Sequence, residues 1–161
     1  MIKLDQDWPW LWELIILSGI VVMGAVMVLL PDFLEFMGEE TYDAIVGSGS
    51  FANLSADERQ HHDWLLGLLG SAMVGWGIMG AFLTWFGLRS WIRNGFPQDQ
   101  QWSWQALVSG FSVWFVLDTG ISALNEVWFN VIFNTLLYIV LVIPLLALAP
   151  KYLENRQESS R

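Results

Sequence analysis

Residues 65–86 read LLGLLGSAMVGWGIMGAFLTWF, a run without one charged side chain. A helix rises about 1.5 Å per residue, so this run is long enough to cross the roughly 30 Å hydrocarbon core of a bilayer. Three other runs share its length and character: Leu11–Leu30, Trp104–Leu124 and Trp128–Leu148. Within all four, Glu13 and Asp118 are the only charged side chains. The chain of 161 residues is therefore expected to be one all-α domain, a four-helix transmembrane bundle. Its first loop is long and is expected to hold a short interfacial helix.

Composition points the same way. Hydrophobic residues make up 55% of the chain and charged ones 14%, against about a quarter in soluble domains. So few charges could not cover a water-facing surface. A net charge of −9 without clustered Lys or Arg argues against nucleic-acid partners. The absence of cysteine excludes disulfides, thiolate metal sites and thiol nucleophiles. Asp5 and Asp7 stand where a signal peptide is basic, and no A-x-A-like site precedes Pro31. The first run is expected to remain as an anchor.

Basic residues set the expected orientation. Lys3, Arg89, Arg93, Lys151, Arg156 and Arg161 fall on one side of the four spans, and Arg59 alone on the other. Both termini should then be cytoplasmic, in a bacterial inner membrane. Trp8, Trp10, Trp12, Trp85, Trp91, Trp102 and Trp104 would mark the inner interface, and Trp64 and Trp128 the outer one. Arg89 and Arg93, with Trp91 and Ile92 between them, read as a short interfacial helix touching anionic lipid. Glu13, among tryptophans near the same interface, is expected to reach water.

The outer side would hold the loop Pro31–Asp63, with eight acidic residues against Arg59. PDFLEFMGEE, residues 31–40, suits a helix lying on the membrane, and GSGS at 47–50 suits a flexible break. SADE at 55–58 is a capping box, with Ser55 capping a helix and Glu58 reaching back. In the second span Gly67, Ser71 and Gly75 recur every four residues, with Gly70, Gly77 and Ala81 beside them. Such a face lets a second helix come close, either within the bundle or from another copy of the chain. Pro144 should free a backbone carbonyl in the fourth span.

Candidate functional residues gather in the third and fourth spans. Asp118 and Ser122 share a helix face with Trp114, and Asn125 follows three positions later. Asn130, Asn134 and Tyr138 share a face of the next helix. Asp118 and Asn134 lie at matching depth, about 9 Å from the outer interface, and are expected to meet. A charged group inside a span is costly and is usually functional, although a hydrogen-bonded carboxyl gripping Asn134 or Thr135 would serve as well. His62, with His61, would sit above this cluster as a lid. The expected ligand site is thus Asp118, Ser122, Asn125, Asn134 and His62. Glu58, His61 and His62 converge from one helix turn, but this short pattern lacks the second copy and extra carboxylates of a di-iron bundle. No metal site is assigned from it, and no cofactor can be named.

The segments HHDWLLGLLGSAMVGWGIMG, WFVLDTGIS and WFNVIFN resemble small uncharacterised four-helix integral membrane proteins of bacteria. The resemblance covers roughly residues 60 to 145 and implies the fold and the membrane, with no established activity and no functional residue. Two readings follow. The first is a membrane binding or accessory protein with an outer-facing polar pocket for a small ligand or lipid. Its partners would be membrane lipid and either further copies of itself or a larger membrane complex. The alternative is a proton- or cation-coupled small transporter, or a membrane enzyme using Asp118 with His61 and His62. No nucleophile motif, P-loop or HExxH favours an enzyme.

Overall fold

The computed structural model describes residues 4–30, 39, 42–43, 47, 49–151 and 153. All regular elements among them are helical. Helix α1 spans Leu4–Leu29 and α2 spans Ala56–Phe82. A π-helical turn, Leu83–Leu88, joins α2 to the short α3, Arg89–Arg93, and α4 and α5 are Trp102–Leu124 and Trp128–Ala147. Four stretches are long and apolar enough to cross a membrane: Asp7–Leu29, Ala56–Arg93, Gln98–Leu124 and Trp128–Ala147. Residues 31–38, where the interfacial helix is expected, lie outside the described residues.

The second of these stretches extends past its apolar run at both ends. At the start, the capping box is formed as the sequence predicts. The Ser55 hydroxyl and backbone N–H donate to Glu58 Oε2 at 2.7 and 2.9 Å, and the Glu58 N–H donates to Ser55 Oγ at 3.3 Å. These bonds satisfy donors that a helix start leaves unpaired. At the far end the π-helical turn carries the path on to Arg93.

The chain forms two compact units, Ser18–Ile78 and the remainder, Met1–Leu17 with Met79–Arg161. Inside Ser18–Ile78, α1 and α2 meet through glycine. A Cβ added at Gly24 would stand 2.6 Å from the Gly70 carbonyl oxygen, and one at Gly70 would stand 2.8 Å from that of Gly24. Only residues without side chains allow backbones this close. The contact falls one position away from the expected face. Gly67 and Gly75 have open space where a Cβ would go, and Ser71 is exposed, its hydroxyl donating to the Gly67 carbonyl at 2.9 Å. Two small-residue stripes run along α2, and the less regular one makes the intramolecular contact.

In the other unit α4 and α5 pair antiparallel. Ser112 and Tyr138 share a hydrogen bond of 2.9 Å, Phe115 stacks on Tyr138 at 4.4 Å, and the Trp104 indole donates to the Leu145 carbonyl at 2.8 Å. Pro144 has no N–H for the Val140 carbonyl, four residues earlier, and the Trp12 indole supplies the missing donor at 2.9 Å. Trp12→Phe keeps an aromatic ring and removes this donor. It should lower stability by about 1 kcal/mol, read as a reduced melting temperature in detergent. An unchanged melting temperature would mean the carbonyl finds another donor.

The basic pair makes contacts within the protein that the lipid reading does not anticipate. Arg93 grips Asp7, with Nη2 3.2 Å from Oδ2 and Nε 3.3 Å from Oδ1, and Asp7 also accepts from the Trp10 indole at 2.8 Å. The Arg89 guanidinium lies 4.5 Å from the Trp85 ring centre and 5.4 Å from that of Trp10, within cation–π range of both. Trp10, Trp91 and Ile92 are buried, so these two tryptophans pack inside the protein instead of anchoring at headgroups. Asp7, the partner that redirects Arg93, is 86 positions away, beyond the reach of any local pattern.

Candidate functional site

Asp118, Ser122 and Asn130 come together where α4 ends and α5 begins. The Asn130 amide donates to Ser122 Oγ at 2.7 Å and to Asp118 Oδ1 at 3.3 Å, while the Ser122 hydroxyl donates to the Asp118 carbonyl at 2.7 Å. Depth along the helices predicts Asn134 as the partner of Asp118. Asn130, one turn closer to the interhelix connection, takes that place. Its side chain can bridge Ser122 and Asp118, which lie one turn apart on α4.

Asn134 is 2% exposed, and its amide nitrogen has no hydrogen-bond partner among the described residues. The Thr119 hydroxyl is buried and likewise unpartnered. Further along the same face of α5, Tyr138 meets Ser112. Asn130, Asn134 and Tyr138 thus put polar groups at three successive turns of α5. Asn125 does not join them: it is exposed, and its amide donates to the Ile121 carbonyl at 2.8 Å, closing the end of α4.

His62 belongs to the other unit. Its ring lies edge-on to Tyr42 and to Phe51, each at 5.6 Å, and His61 stacks on Trp64 at 5.7 Å. A cleft of about 400 Å³ is lined by both histidines with Tyr42, Leu54, Asp57 and Glu58. The Glu58 carboxylate is engaged by Ser55, and no three His, Cys, Asp or Glu among the described residues could hold one metal ion.

Close by, Asp43 organises a turn where the sequence suggests a flexible break. It accepts from the Gly49 and Phe51 N–H groups at 2.6 and 2.8 Å. Gly47 and Gly49 take φ values of +126° and +79°, which glycine adopts without strain. The bonds from Phe51 and Gly49 hold the Asp43 carboxyl below its ordinary pKa, because they favour the charged form. Arg59 closes the turn from the far side, donating to the Ala52 carbonyl at 2.9 Å with its guanidinium over Phe51.

Glu13 does not reach water as the sequence predicts. It is fully buried, and neither carboxylate oxygen has a hydrogen-bond partner among the described residues. The sequence carries a signal for this: Asp7, Trp10, Glu13 and Leu17 fall on one stripe of α1, and all four are buried.

The described residues define a helical protein with four membrane-length apolar helices, and Glu13 and Asp118 place a carboxyl group within the apolar run of two of them. Comparison with protein-family models, with curated proteins and with solved structures found no match.

Proposed function

We propose that this is an integral membrane binding or accessory protein. Its last two helices would hold a small hydrogen-bonding ligand, or a lipid headgroup, along the polar seam from Asp118 to Asn134. The observation that carries this reading is the buried Asn134 amide nitrogen, which has no partner among the described residues; the buried Thr119 hydroxyl on α4 also lacks one among them. A buried donor left unpaired costs about 1–3 kcal/mol, and a ligand carbonyl or hydroxyl would remove that cost. The seam offers neutral amides and hydroxyls and one carboxylate, which suits a polar organic group better than a metal. The six-to-one distribution of basic residues favours cytoplasmic termini in a bacterial inner membrane, so the Asp118 end of the seam would open outward. Asn125 and His62, engaged elsewhere, are not required.

The test is Asp118→Asn. An amide oxygen can still accept from Asn130, so folding and melting temperature should hold while the carboxyl group is lost. Native mass spectrometry in nanodiscs should show a small molecule retained by the wild type and released by the variant. The variant should also fail to complement a deletion strain. If it retains the same species and complements fully, Asp118 only fastens the two helices together.

A further inference from the structure

A second polar group lies apart from that seam, between α1 and the end of α2. The two helices run antiparallel here. Leu17 packs on Gly80, where an added Cβ would come within 2.8 Å of it; Trp10 meets Trp85 at 5.7 Å; and Asp7 meets Arg93. Glu13 lies between Leu17 and Trp10 on α1, and Thr84 lies between Gly80 and Trp85 on the facing helix. The register therefore brings Glu13 and Thr84 to one level. Both are fully buried, and neither the Glu13 carboxylate nor the Thr84 hydroxyl has a hydrogen-bond partner among the described residues. Thr84 belongs to the π-helical turn, a geometry that occurs often at functional sites because it displaces the side chains beyond it.

We propose that Glu13 is a proton-binding site, exchanging one proton with water at the end of the bundle where α1 begins, with Arg89 as counter-charge of the deprotonated form. A bare carboxylate in an apolar interior is far too costly to persist, whereas the neutral acid needs only modest polar contact. A bound metal cation would need several oxygen ligands, and among the described residues of α1, α2 and the π-helical turn Thr84 is the hydroxyl the register brings to this level. A proton needs a single oxygen. When the carboxyl O–H bond breaks, its electron pair stays on Glu13 and the proton passes to water.

The counter-charge is one turn away. The Arg89 guanidinium rests on Trp10 and Trp85, and its Nε–H is buried and unpartnered among the described residues. Trp10 precedes Glu13 by one turn on the same face, so a shift of about 5 Å along the helix takes the guanidinium from the indoles to the carboxylate. Among the described residues, other ionisable groups near Glu13 are few. Asp7 on its own helix is already paired with Arg93 from α3. On α4, the stretch Trp102–Leu117 contains no ionisable side chain, and on α5 Tyr138 is the only one between Trp128 and Ala147, with Lys151 beyond. Among the described residues, Arg89 is thus the cation placed to answer ionisation of Glu13.

Infrared difference spectroscopy of the full chain in nanodiscs, over a pH range in which it stays folded, tests this. The carbonyl stretch of a protonated carboxylic acid should be present in the wild type and in Asp118→Asn, and absent from Glu13→Gln. It should disappear on raising pH, with a change in tryptophan fluorescence at the same midpoint as Arg89 leaves the indoles. In Arg89→Gln the band should still titrate while the fluorescence response is lost. If Glu13→Gln does not fold, Glu13→Asp keeps the acid and should move the band instead of abolishing it. A wild type with no such band, or with one that never titrates, overturns the proposal and leaves Glu13 as a fixed structural group. Because Asp118→Asn should keep the band, failure here is separable from failure of the ligand-site reading.

Discussion

Leucine at Gly70 should cost this protein more stability than leucine anywhere on the neighbouring Gly67–Ser71–Gly75 face. A single added Cβ at Gly70 would already meet the Gly24 carbonyl oxygen at 2.8 Å and Met27 Cβ at 2.9 Å. Neither atom can turn aside as the tip of a flexible side chain does, so the helices must separate. Overpacking typically costs 1–3 kcal/mol, and a clash with backbone belongs at the upper end, about 3 kcal/mol. Separation also forfeits the close van der Waals contact that holds helices together in lipid. Thermal unfolding in detergent should show a large drop for Gly70→Leu and for the reciprocal Gly24→Leu. Ser71→Leu should leave the melting temperature of the monomer unchanged, because its side chain is exposed. If Ser71→Leu is destabilising and Gly70→Leu is not, the other stripe makes the contact.

That pair of variants marks the limit of what the sequence reveals about packing. Run length and charge content locate the four apolar helices, although not their ends, because crossing a bilayer constrains both strongly. The capping box at Ser55 is equally legible, since its whole mechanism lies within four residues. Which of two small-residue stripes touches another helix depends on rotation about the helix axis, and no local feature of α2 fixes that angle. The partner's glycine fixes it, and Gly24 is 46 positions from Gly70.

The polar residues divide in the same way. Asp118 and Ser122 are legible as one face of one helix, and their shared partner does lie on the next helix. Depth counting from span ends selects Asn134 where the structure has Asn130, an error of one turn, about 5 Å. Glu13 escapes the sequence reading because distance from the membrane surface says nothing about helix face. Its stripe with Trp10 and Leu17 turns it inward despite its nearness to the helix end. The Arg93–Asp7 pair escapes that reading for a related reason, since positive charge near an interface suits headgroups and a distant buried acid leaves no local sign of competing for it.

Such competition has a measurable consequence. Removing the guanidinium in Arg93→Ala takes the Arg93 ion pair from the Asp7 carboxylate, which is only 4% exposed. Breaking one side of a buried pair costs about 3–5 kcal/mol; the Arg93 side chain is 36% exposed, so water already screens part of the interaction and about 3 kcal/mol is expected. The loss should come from the buried acid, deprived of one of its partners, more than from the missing base. Asp7→Asn combined with Arg93→Ala removes the charge and should recover most of the stability, while the substituted amide oxygen still accepts from the Trp10 indole. A double-mutant cycle on melting data isolates this coupling. Had Arg93 served chiefly to bind lipid, Arg93→Ala would weaken binding to anionic vesicles with little thermal effect, and the second substitution would rescue nothing. A coupling near zero would therefore return Arg93 to the membrane surface.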